Sequence, residues 1–250
     1  MKKSVVILGA VSEEIVGVKK KMRIFDRISL GKTKAWKGKW QGKDIILVRT
    51  GVGRQKAKYA IRQVIEKLEP GAIISMGYAG ALNAGLKVGD LFIANYILDE
   101  QNHSISFKVE DPPNSKWLAL AKNISLAEEL KIKFGTLVTA NSVIYSPQAK
   151  QDLGKQFQAE AVDMETIEIA MLAREKKMPF LSVRAISDAV DDELIDSSSF
   201  LGNDGEISKL KAGWYVLTHP KSIKQAISLR FYTQKATQNL TTFISQLISL

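Results

Sequence analysis

Residues 161–194 read AVDMETIEIAMLAREKKMPFLSVRAISDAVDDEL, and this stretch decides the fold of the chain. Its first half repeats apolar residues at steps of three and four, as the buried face of a helix requires. The pattern predicts a helix over Met164–Lys176 that ends before Pro179. The second half, Phe180–Ile186, is short and mostly apolar, which is typical of a parallel strand covered on both faces. The stretch therefore predicts a helix-strand unit of an α/β fold.

Two carboxylates stand at opposite ends of this unit. Glu165 lies at the start of the helix, and Asp188 follows Ser187 at the C-terminal end of the strand. Open α/β sheets bind their ligands at that edge, so both acids are candidate functional residues. Taken singly, Glu165 could instead favour the positive end of the helix, and Asp188 could cap the segment that follows.

The composition of the 250-residue chain limits the class of protein. An apolar fraction of 45% is enough for one large α/β domain, and the sequence contains no cysteine and two histidines. Disulfides and thiolate metal sites are therefore excluded, no cofactor or metal is expected, and a reducing cytoplasm suits the chain. The apolar run that follows Met1 is short and predicts a first strand, not a signal peptide, and no stretch reaches the ~20 apolar residues of a membrane-spanning helix.

The net charge of +10 favours association with phosphates, nucleic acid or an anionic membrane. We expect most of this excess to be lysine scattered over the surface. Because no zinc-finger, RNA-binding or basic-zipper pattern accompanies the charge, no nucleic-acid partner is expected. His103 and His219 are expected to be ordinary surface or core histidines.

Strands alternate with helices along the first 190 residues, which predicts an α/β fold. The predicted strands are Ser4–Ala10, Ile28–Gly38, Lys39–Thr50, Ala72–Met76, Leu91–Leu98 and Lys133–Thr139. The predicted helices are Glu13–Met22, Gln55–Leu68, Asn114–Leu130 and Pro147–Phe157. The segment Asp191–Glu206 is rich in Asp, Ser and Gly and is expected to be a long loop.

The composition changes after residue 208. Residues 209–250 carry lysines and an arginine among apolar residues, and predict one or two amphipathic helices broken at Pro220. We expect this basic tail to extend the domain formed by residues 1–208. Its aromatic residues, Trp214, Tyr215, Phe231 and Phe243, could lie against an anionic membrane surface. The alternative that we favour slightly is that the helices pack on the domain or at an interface between subunits.

Two motifs in the opening stretch resemble the signature of the purine nucleoside phosphorylase and methylthioadenosine/S-adenosylhomocysteine nucleosidase superfamily. Residues 162–165, VDME, match its V-[ED]-M-E pattern, and residues 184–188, RAISD, match R-x-[IV]-S-D. Residues 9–15, GAVSEEI, are similar to the G-A-M-x-x-E loop, and residues 77–80, GYAG, to the G-[ST]-A-G-G motif. In all, the match covers roughly residues 4–191. It implies a three-layer α/β/α sandwich around a mixed, mainly parallel sheet, in a homo-oligomer.

The resemblance implies a role for each matching side chain in cleavage of a purine N-glycosidic bond. Asp188 would protonate or hydrogen-bond N7 of the purine, for which its carboxyl must be held protonated by burial or by a nearby partner. Glu165 would hold the ribose hydroxyls and stabilise the cationic sugar, and Met164 would pack on the sugar. Glu14 would activate the attacking water. Ser187 is either a contact to the base or a helix cap.

The chain departs from the family pattern at three positions. The resemblance places Gly77 and Tyr78 beside the sugar or phosphate, but Tyr78 replaces a small hydroxyl residue. It places Val143 and Ile144 beside the purine, where many relatives have a phenylalanine. Ser75 replaces the arginine with which hexameric phosphorylases hold phosphate.

The last departure favours hydrolysis of a 5′-substituted adenosine. Phosphorolysis stays open, because Arg49 or Arg54 could supply the positive charge from the adjacent loop. The basic tail resembles that of a bacterial subgroup associated with hopanoid lipids, whose substrate is thought to be adenosylhopane, so an adenosylhopane-cleaving enzyme is a further alternative. A nucleoside-binding protein that has lost catalysis is the third class.

Overall fold

The computed structural model describes residues 3–109, 115–124, 131–194 and 222–250, and within them ten strands and six helices. The strands are β1 (Val5–Gly9), β2 (Arg23–Leu30), β3 (Thr33–Trp40), β4 (Lys43–Arg49), β5 (Ala72–Ala81), β6 (Leu91–Asp99), β7 (Ser106–Lys108), β8 (Ile132–Thr139), β9 (Ala161–Asp163) and β10 (Phe180–Asp188). The helices are α1 (Ser12–Lys21), α2 (Arg54–Leu68), α3 (Ser115–Lys122), α4 (Pro147–Phe157), α5 (Thr166–Glu175) and α6 (Ser222–Ser249).

All ten strands join one mixed sheet in the order β10-β6-β8-β9-β5-β1-β4-β3-β2, with β7 paired to β6. β1 runs parallel to β4 and β5, and β5 also runs parallel to β10. Because β5 pairs with β9 as well, the strands β5, β10, β6, β8 and β9 close into a ring. The C-terminal ends of β1, β4, β5 and β10 therefore meet at one edge, where an α/β sheet binds ligands.

Helices cover both faces of the sheet. The side chains of β1 alternate, so that Val6 and Leu8 pack in the core under α2 and α5, whereas Val5 and Ile7 pack in the core under α1, α3 and α6. A third, smaller core lies between α4 and the strands β8 and β9. The predicted three-layer α/β/α sandwich around a mixed sheet is confirmed.

The region between residues 23 and 50 differs from the prediction of two strands. It forms the antiparallel meander β2-β3-β4, with turns at residues 31–32 and 41–42. Gln41 and Gly42 both adopt positive φ at the second turn. β2 is an edge strand with mostly exposed side chains, so it lacks the apolar alternation that would have identified it.

The strand predicted to end at Met76 continues through the glycine motif to Ala81. Its residues pair with β10, including Gly77 with Arg184 and Gly80 with Asp188. The strand was predicted to end at Met76 because glycine permits a sharp turn or a close approach of the backbone to a ligand. Pairing with the largely buried strand β10 outweighs that local preference.

The C-terminal helix α6 packs on the domain. In its described part, from residue 233 on, Leu240, Phe243 and Ile244 are fully buried in the core that α1 also covers. None of the helices in the described ranges is long and apolar enough to cross a membrane. Several predictions lie outside the described residues: the boundary at 208–209, most of the Asp191–Glu206 loop, Asn114 and residues 125–130 of the helix Asn114–Leu130, Trp214, Tyr215, the side chain of Phe231, His219 and the break at Pro220.

Candidate active site

A cleft opens at the sheet edge where β1, β4, β5 and β10 end. Two acids and one base line it: Glu14, Glu165 and Arg184. Its remaining wall is formed by Leu8, Gly9, Ala10, Thr50, Ser75, Met76, Gly77, Tyr78 and Ile169. The structure therefore brings together two of the three acids that the sequence singled out, from α1 and from the start of α5.

Glu14 is buried and held by backbone amides. Its Oε2 accepts hydrogen bonds from the N–H groups of Ala10 and Val11, and its Oε1 accepts one from Tyr78 at 2.9 Å. Burial raises the pKa of Glu14, while the amide of Tyr78 and the charge of Arg184 act in the opposite direction. The carboxylate is fixed in one position but remains able to take up a proton.

Glu165 lies directly before α5 and faces the same cleft. Its Oε1 accepts a hydrogen bond from the N–H of Gly53 at 2.7 Å. Burial, and then the negative charges of Asp163 and Glu14, raise the pKa of Glu165 to about 8. A carboxyl group with a pKa near neutrality can change its protonation state during a reaction at physiological pH.

A buried ion pair connects the two sequence motifs of the opening stretch. Arg184 of the RAISD motif contacts Asp163 of the VDME motif, with 3.0 Å between Nη2 and Oδ2. Arg184 also donates to the carbonyl and the hydroxyl of Ser75. Asp163 accepts further hydrogen bonds from the backbone N–H of Thr166 and from the hydroxyl of Thr139. These contacts fix the start of α5, and with it Glu165, against the sheet.

Asp188 lies at the end of β10, beside the cleft and not in its wall. It pairs with Gly80 of β5, three residues beyond Gly77, which corresponds to about 10 Å along the strand. Its Oδ1 accepts a hydrogen bond from the hydroxyl of Ser187 at 2.6 Å. Its Oδ2 lies 2.6 Å from Nζ of Lys150. The predicted position at the carboxyl edge is therefore observed, with a cation as an unanticipated partner.

Lys150 is the residue of this site that the sequence analysis missed. It lies on α4 with 1% of its side chain exposed. A usable signal existed, because Leu153 and Phe157 follow it at steps of three and seven on the buried face of that helix. A lysine at such a position is rarely buried without a partner.

The predicted substrate-binding residues surround the cleft in different ways. Tyr78 lines it, but its hydroxyl leaves toward α6 and lies 2.6 Å from that of Thr237. Gly77 lines the cleft directly. Met164, Val143 and Ile144 are half-buried, and Ile144 packs against the core under α4. The hydroxyl of Tyr78 therefore contacts α6, and the predicted places of these residues beside the sugar and the purine stay predictions.

The two arginines that could have supplied positive charge to a phosphate site, Arg49 and Arg54, are hydrogen-bonded to other polar side chains. Arg54 is held by Asp99, Gln101 and Asn141, and its side chain is 10% exposed. Arg49 donates to the hydroxyl of Ser12. In the described residues no group of three or more acids or histidines could hold a metal ion.

Comparison with known proteins identifies similar sequences and folds. A model of the phosphorylase superfamily matches residues 4–209. The 5′-methylthioadenosine/S-adenosylhomocysteine nucleosidase of Staphylococcus epidermidis is 32% identical over 193 residues, which cover 73% of this chain and 85% of that protein. The enzyme of the same name from Staphylococcus haemolyticus is 30% identical over 214 residues, which cover 81% of this chain and 94% of that protein.

Solved structures share the fold over nearly the whole chain. The Neisseria meningitidis 5′-methylthioadenosine/S-adenosylhomocysteine nucleosidase in complex with methylthio-immucillin-A has a TM-score of 0.77 at 22% identity, with 99% of both chains covered. The futalosine hydrolase of Helicobacter pylori has a TM-score of 0.76 at 21% identity, with 98% of this chain and 97% of that chain covered.

Proposed function

The chain belongs to the phosphorylase superfamily, and from this premise we propose that it is a purine nucleosidase. It cleaves the N-glycosidic bond of a 5′-substituted adenosine with water, releasing adenine and the modified ribose. The observation that carries the proposal is the pair of carboxyl groups, Glu14 and Glu165, that line one cleft at the carboxyl edge of the sheet. Relatives named as 5′-methylthioadenosine/S-adenosylhomocysteine nucleosidases support it.

Cleavage of this bond gives the ribosyl group oxocarbenium character, which a neighbouring carboxylate stabilises. We assign that role to Glu165, and the hydrogen bond from the N–H of Gly53 to its Oε1 at 2.7 Å supports the assignment by fixing the carboxyl group. Its pKa of about 8 suits a carboxyl group that binds ribose hydroxyls in the ground state and becomes charged as the sugar becomes cationic.

Glu14 activates the attacking water in this proposal, and its hydrogen bonds support that role. A carboxylate offers about four lone-pair sites, and backbone amides of Ala10, Val11 and Tyr78 occupy three of them. The remaining site can accept a proton from a water in the cleft. Because its pKa is raised by burial, Glu14 is a stronger base than an exposed glutamate.

The same contacts favour water over phosphate as the nucleophile. A phosphate dianion is commonly held by backbone N–H groups and arginine. Here Glu14 already accepts hydrogen bonds from the N–H groups that follow β1 and from that of Tyr78 in β5. Arg184, the cation among the lining residues, is paired with Asp163. A dianion would also meet the two acids of the cleft, so we assign hydrolysis and not phosphorolysis.

In this proposal Asp188 contacts the leaving base, and Ser187 lies beside it. Val143 and Ile144 follow β8 and supply apolar contacts to the purine. The 5′ group remains the open part of the substrate, since the solved relatives that share this fold include a futalosine hydrolase. We further propose that the protein is a cytoplasmic homo-oligomer, which the absence of cysteine and the family resemblance support. Phosphate dependence and binding to anionic liposomes are measured in the experiments below.

The test is adenine release from methylthioadenosine and S-adenosylhomocysteine by the full chain, with and without inorganic phosphate. We expect release without phosphate and no increase when phosphate is added. Glu14→Gln and Glu165→Gln should each lower kcat about 100-fold or more. Glu66→Gln, at an exposed position of α2, is the matched control and should be unchanged. Strict dependence on phosphate, or full activity of Glu14→Gln, contradicts the proposal.

A further inference from the structure

Lys150 is a buried charged residue that the reaction described above leaves without a role. Its ammonium group lies 2.6 Å from Oδ2 of Asp188. It also donates hydrogen bonds to the backbone carbonyls of Ala189 and Asp192, each at 2.9 Å. One carboxylate oxygen and two backbone carbonyls therefore surround the ammonium, and the contact to the carboxylate is an ion pair. Burying a lysine is unfavourable unless the ammonium is paired. All three partners of this ammonium lie at the end of β10 or in the segment that follows it.

The contact bears on the source of the proton for the leaving group. A departing purine gains negative charge and takes a proton at N7, so the group facing it has to deliver one. Asp188 stands in an ion pair, and the hydroxyl of Ser187 donates to its other oxygen. Among the contacts that the structure describes at this carboxylate, the ionisable proton belongs to Lys150.

We propose that Lys150 supplies the proton that Asp188 delivers to the leaving purine. The inference rests on the proposed nucleosidase function and deepens it. Lys150 is a positioning residue, since it contacts Asp188 and not the substrate. Its two carbonyl contacts hold the ammonium at Oδ2 while the proton moves.

The protons balance over one turnover. The bond between C1′ and N9 breaks, and its electron pair goes to the purine. The purine takes a proton at N7 through Asp188, which receives it from Nζ of Lys150, leaving a neutral amine there. The oxygen of the attacking water bonds to C1′, and Glu14 accepts the proton that this water loses. Solvent then returns one proton to Lys150 and takes one from Glu14, so water is the net source.

A structural clamp is the competing explanation of the same contacts. Lys150 ties α4 to the segment 189–192, which is also held by the N–H of Ala189 donating to Oδ2 of Asp192 at 2.7 Å. Loss of a clamp on the whole segment would impair every substrate alike, and loss of a charge that only positions Asp188 would be restored in Lys150→Arg. Loss of a proton source would impair only those substrates whose leaving group needs a proton.

The experiment therefore compares two substrates on the full chain: methylthioadenosine, and 4-nitrophenyl riboside, whose leaving group departs as a stable anion. The variants are Lys150→Met and Lys150→Arg, with Asp188→Asn as the reference. An arginine keeps the charge but does not release a proton in proteins. Lys155→Met, at an exposed position of the same helix, is the matched control.

We expect the ratio of kcat/KM for methylthioadenosine to kcat/KM for the nitrophenyl riboside to fall about 100-fold or more in both Lys150 variants, as in Asp188→Asn. The ratio should be unchanged in Lys155→Met. Because both rates scale with the amount of folded enzyme, partial unfolding of a variant does not alter their ratio. If the wild type does not cleave the nitrophenyl riboside, an N7-methylated purine nucleoside replaces it.

A proportional fall for both substrates, or a wild-type ratio in Lys150→Arg, overturns the role of Lys150. Neither result touches the proposed function, because the wild type still releases adenine in both cases. A wild type that releases no adenine overturns the nucleosidase proposal itself and the inference with it.

Discussion

Gly77 of β5 and Glu14 of α1 stand so close that no side chain fits between them. A Cβ atom built on Gly77 would lie 2.6 Å from Oε1 of Glu14, which is closer than a non-bonded contact allows. The same oxygen accepts the hydrogen bond from the next residue of the strand, Tyr78. The close approach of the Glu14 carboxylate therefore requires a glycine at this position, whereas its φ angle does not.

Gly77→Ala should consequently displace Glu14 and abolish most of the activity. A shift of about 1 Å at a catalytic group can lower the rate about 100-fold, and we expect a fall of that size in kcat for adenine release. Gly85→Ala is the control, since its added Cβ would meet only the side chain of Asn83, at 3.0 Å. Steady-state kinetics of both variants, with circular dichroism to establish folding, decide the point. Wild-type kcat in Gly77→Ala contradicts the assigned role of Glu14.

The alternation of strands and helices could be predicted from the sequence because buried strands and amphipathic helices leave periodic patterns. The helix predicted over Pro147–Phe157 has those bounds in the structure. The short strands β7 and β9 were missed, since three residues are too few to show a period. The edge strand β2 was missed because its exposed side chains carry no apolar pattern. Closure of the ring through β5 depends on pairings between distant segments, which local patterns do not reveal.

The site was predictable where a motif fixes a residue and not where the partner is distant. Glu14 and Glu165 were found from the motifs, and they share a cleft. The pairing of Asp188 with Lys150 joins positions 38 residues apart in sequence, and only the fold brings them together. The direction of the Tyr78 side chain likewise depends on Thr237 of α6, far along the chain.

Removing one partner of the buried pair of Asp163 and Arg184 should strongly destabilise the protein. Their side chains are 1% and 3% exposed, so Asp163→Asn leaves an uncompensated guanidinium in the core. Breaking such a pair destabilises a protein by about 3–5 kcal/mol. Urea denaturation measures the loss. Asp44→Asn is the control, because Asp44 is 50% exposed in its pair with Lys39, and a change below ~1 kcal/mol is expected there. Equal losses in the two variants would contradict this account.

The raised pKa of Glu165 predicts how stability depends on pH. The group binds a proton more tightly in the folded protein, with a pKa of about 8, than in the unfolded chain, where its ordinary value is 4.5. Between those values the folded state holds more protons, so the free energy of unfolding falls as pH rises from about 4.5 to 8. This contribution is present in full below the lower value and is lost through the upper one.

Glu165→Gln should remove much of that dependence and should be more stable than the wild type at pH 8. Thermal denaturation of both proteins at pH 5, 6.5 and 8 tests the difference, with Glu66→Gln as the exposed control. Glu14 acts in the same direction, so the slope should shrink without vanishing. A pH slope in Glu165→Gln as steep as that of the wild type would show that Glu165 titrates normally.

The last prediction concerns the basic tail, whose final helix α6 is part of the core in its described portion. Phe243 is fully buried there, whereas Leu250 is 60% exposed at the end of the chain. Phe243→Ala should lower the free energy of unfolding by about 3–5 kcal/mol, because it removes buried contacts and leaves a cavity. Leu250→Ala should change it by no more than about 0.5 kcal/mol. If Phe243→Ala were equally harmless, its ring would be free to contact another surface. Sedimentation of the wild type and Phe243→Ala with anionic liposomes would then test a membrane role directly.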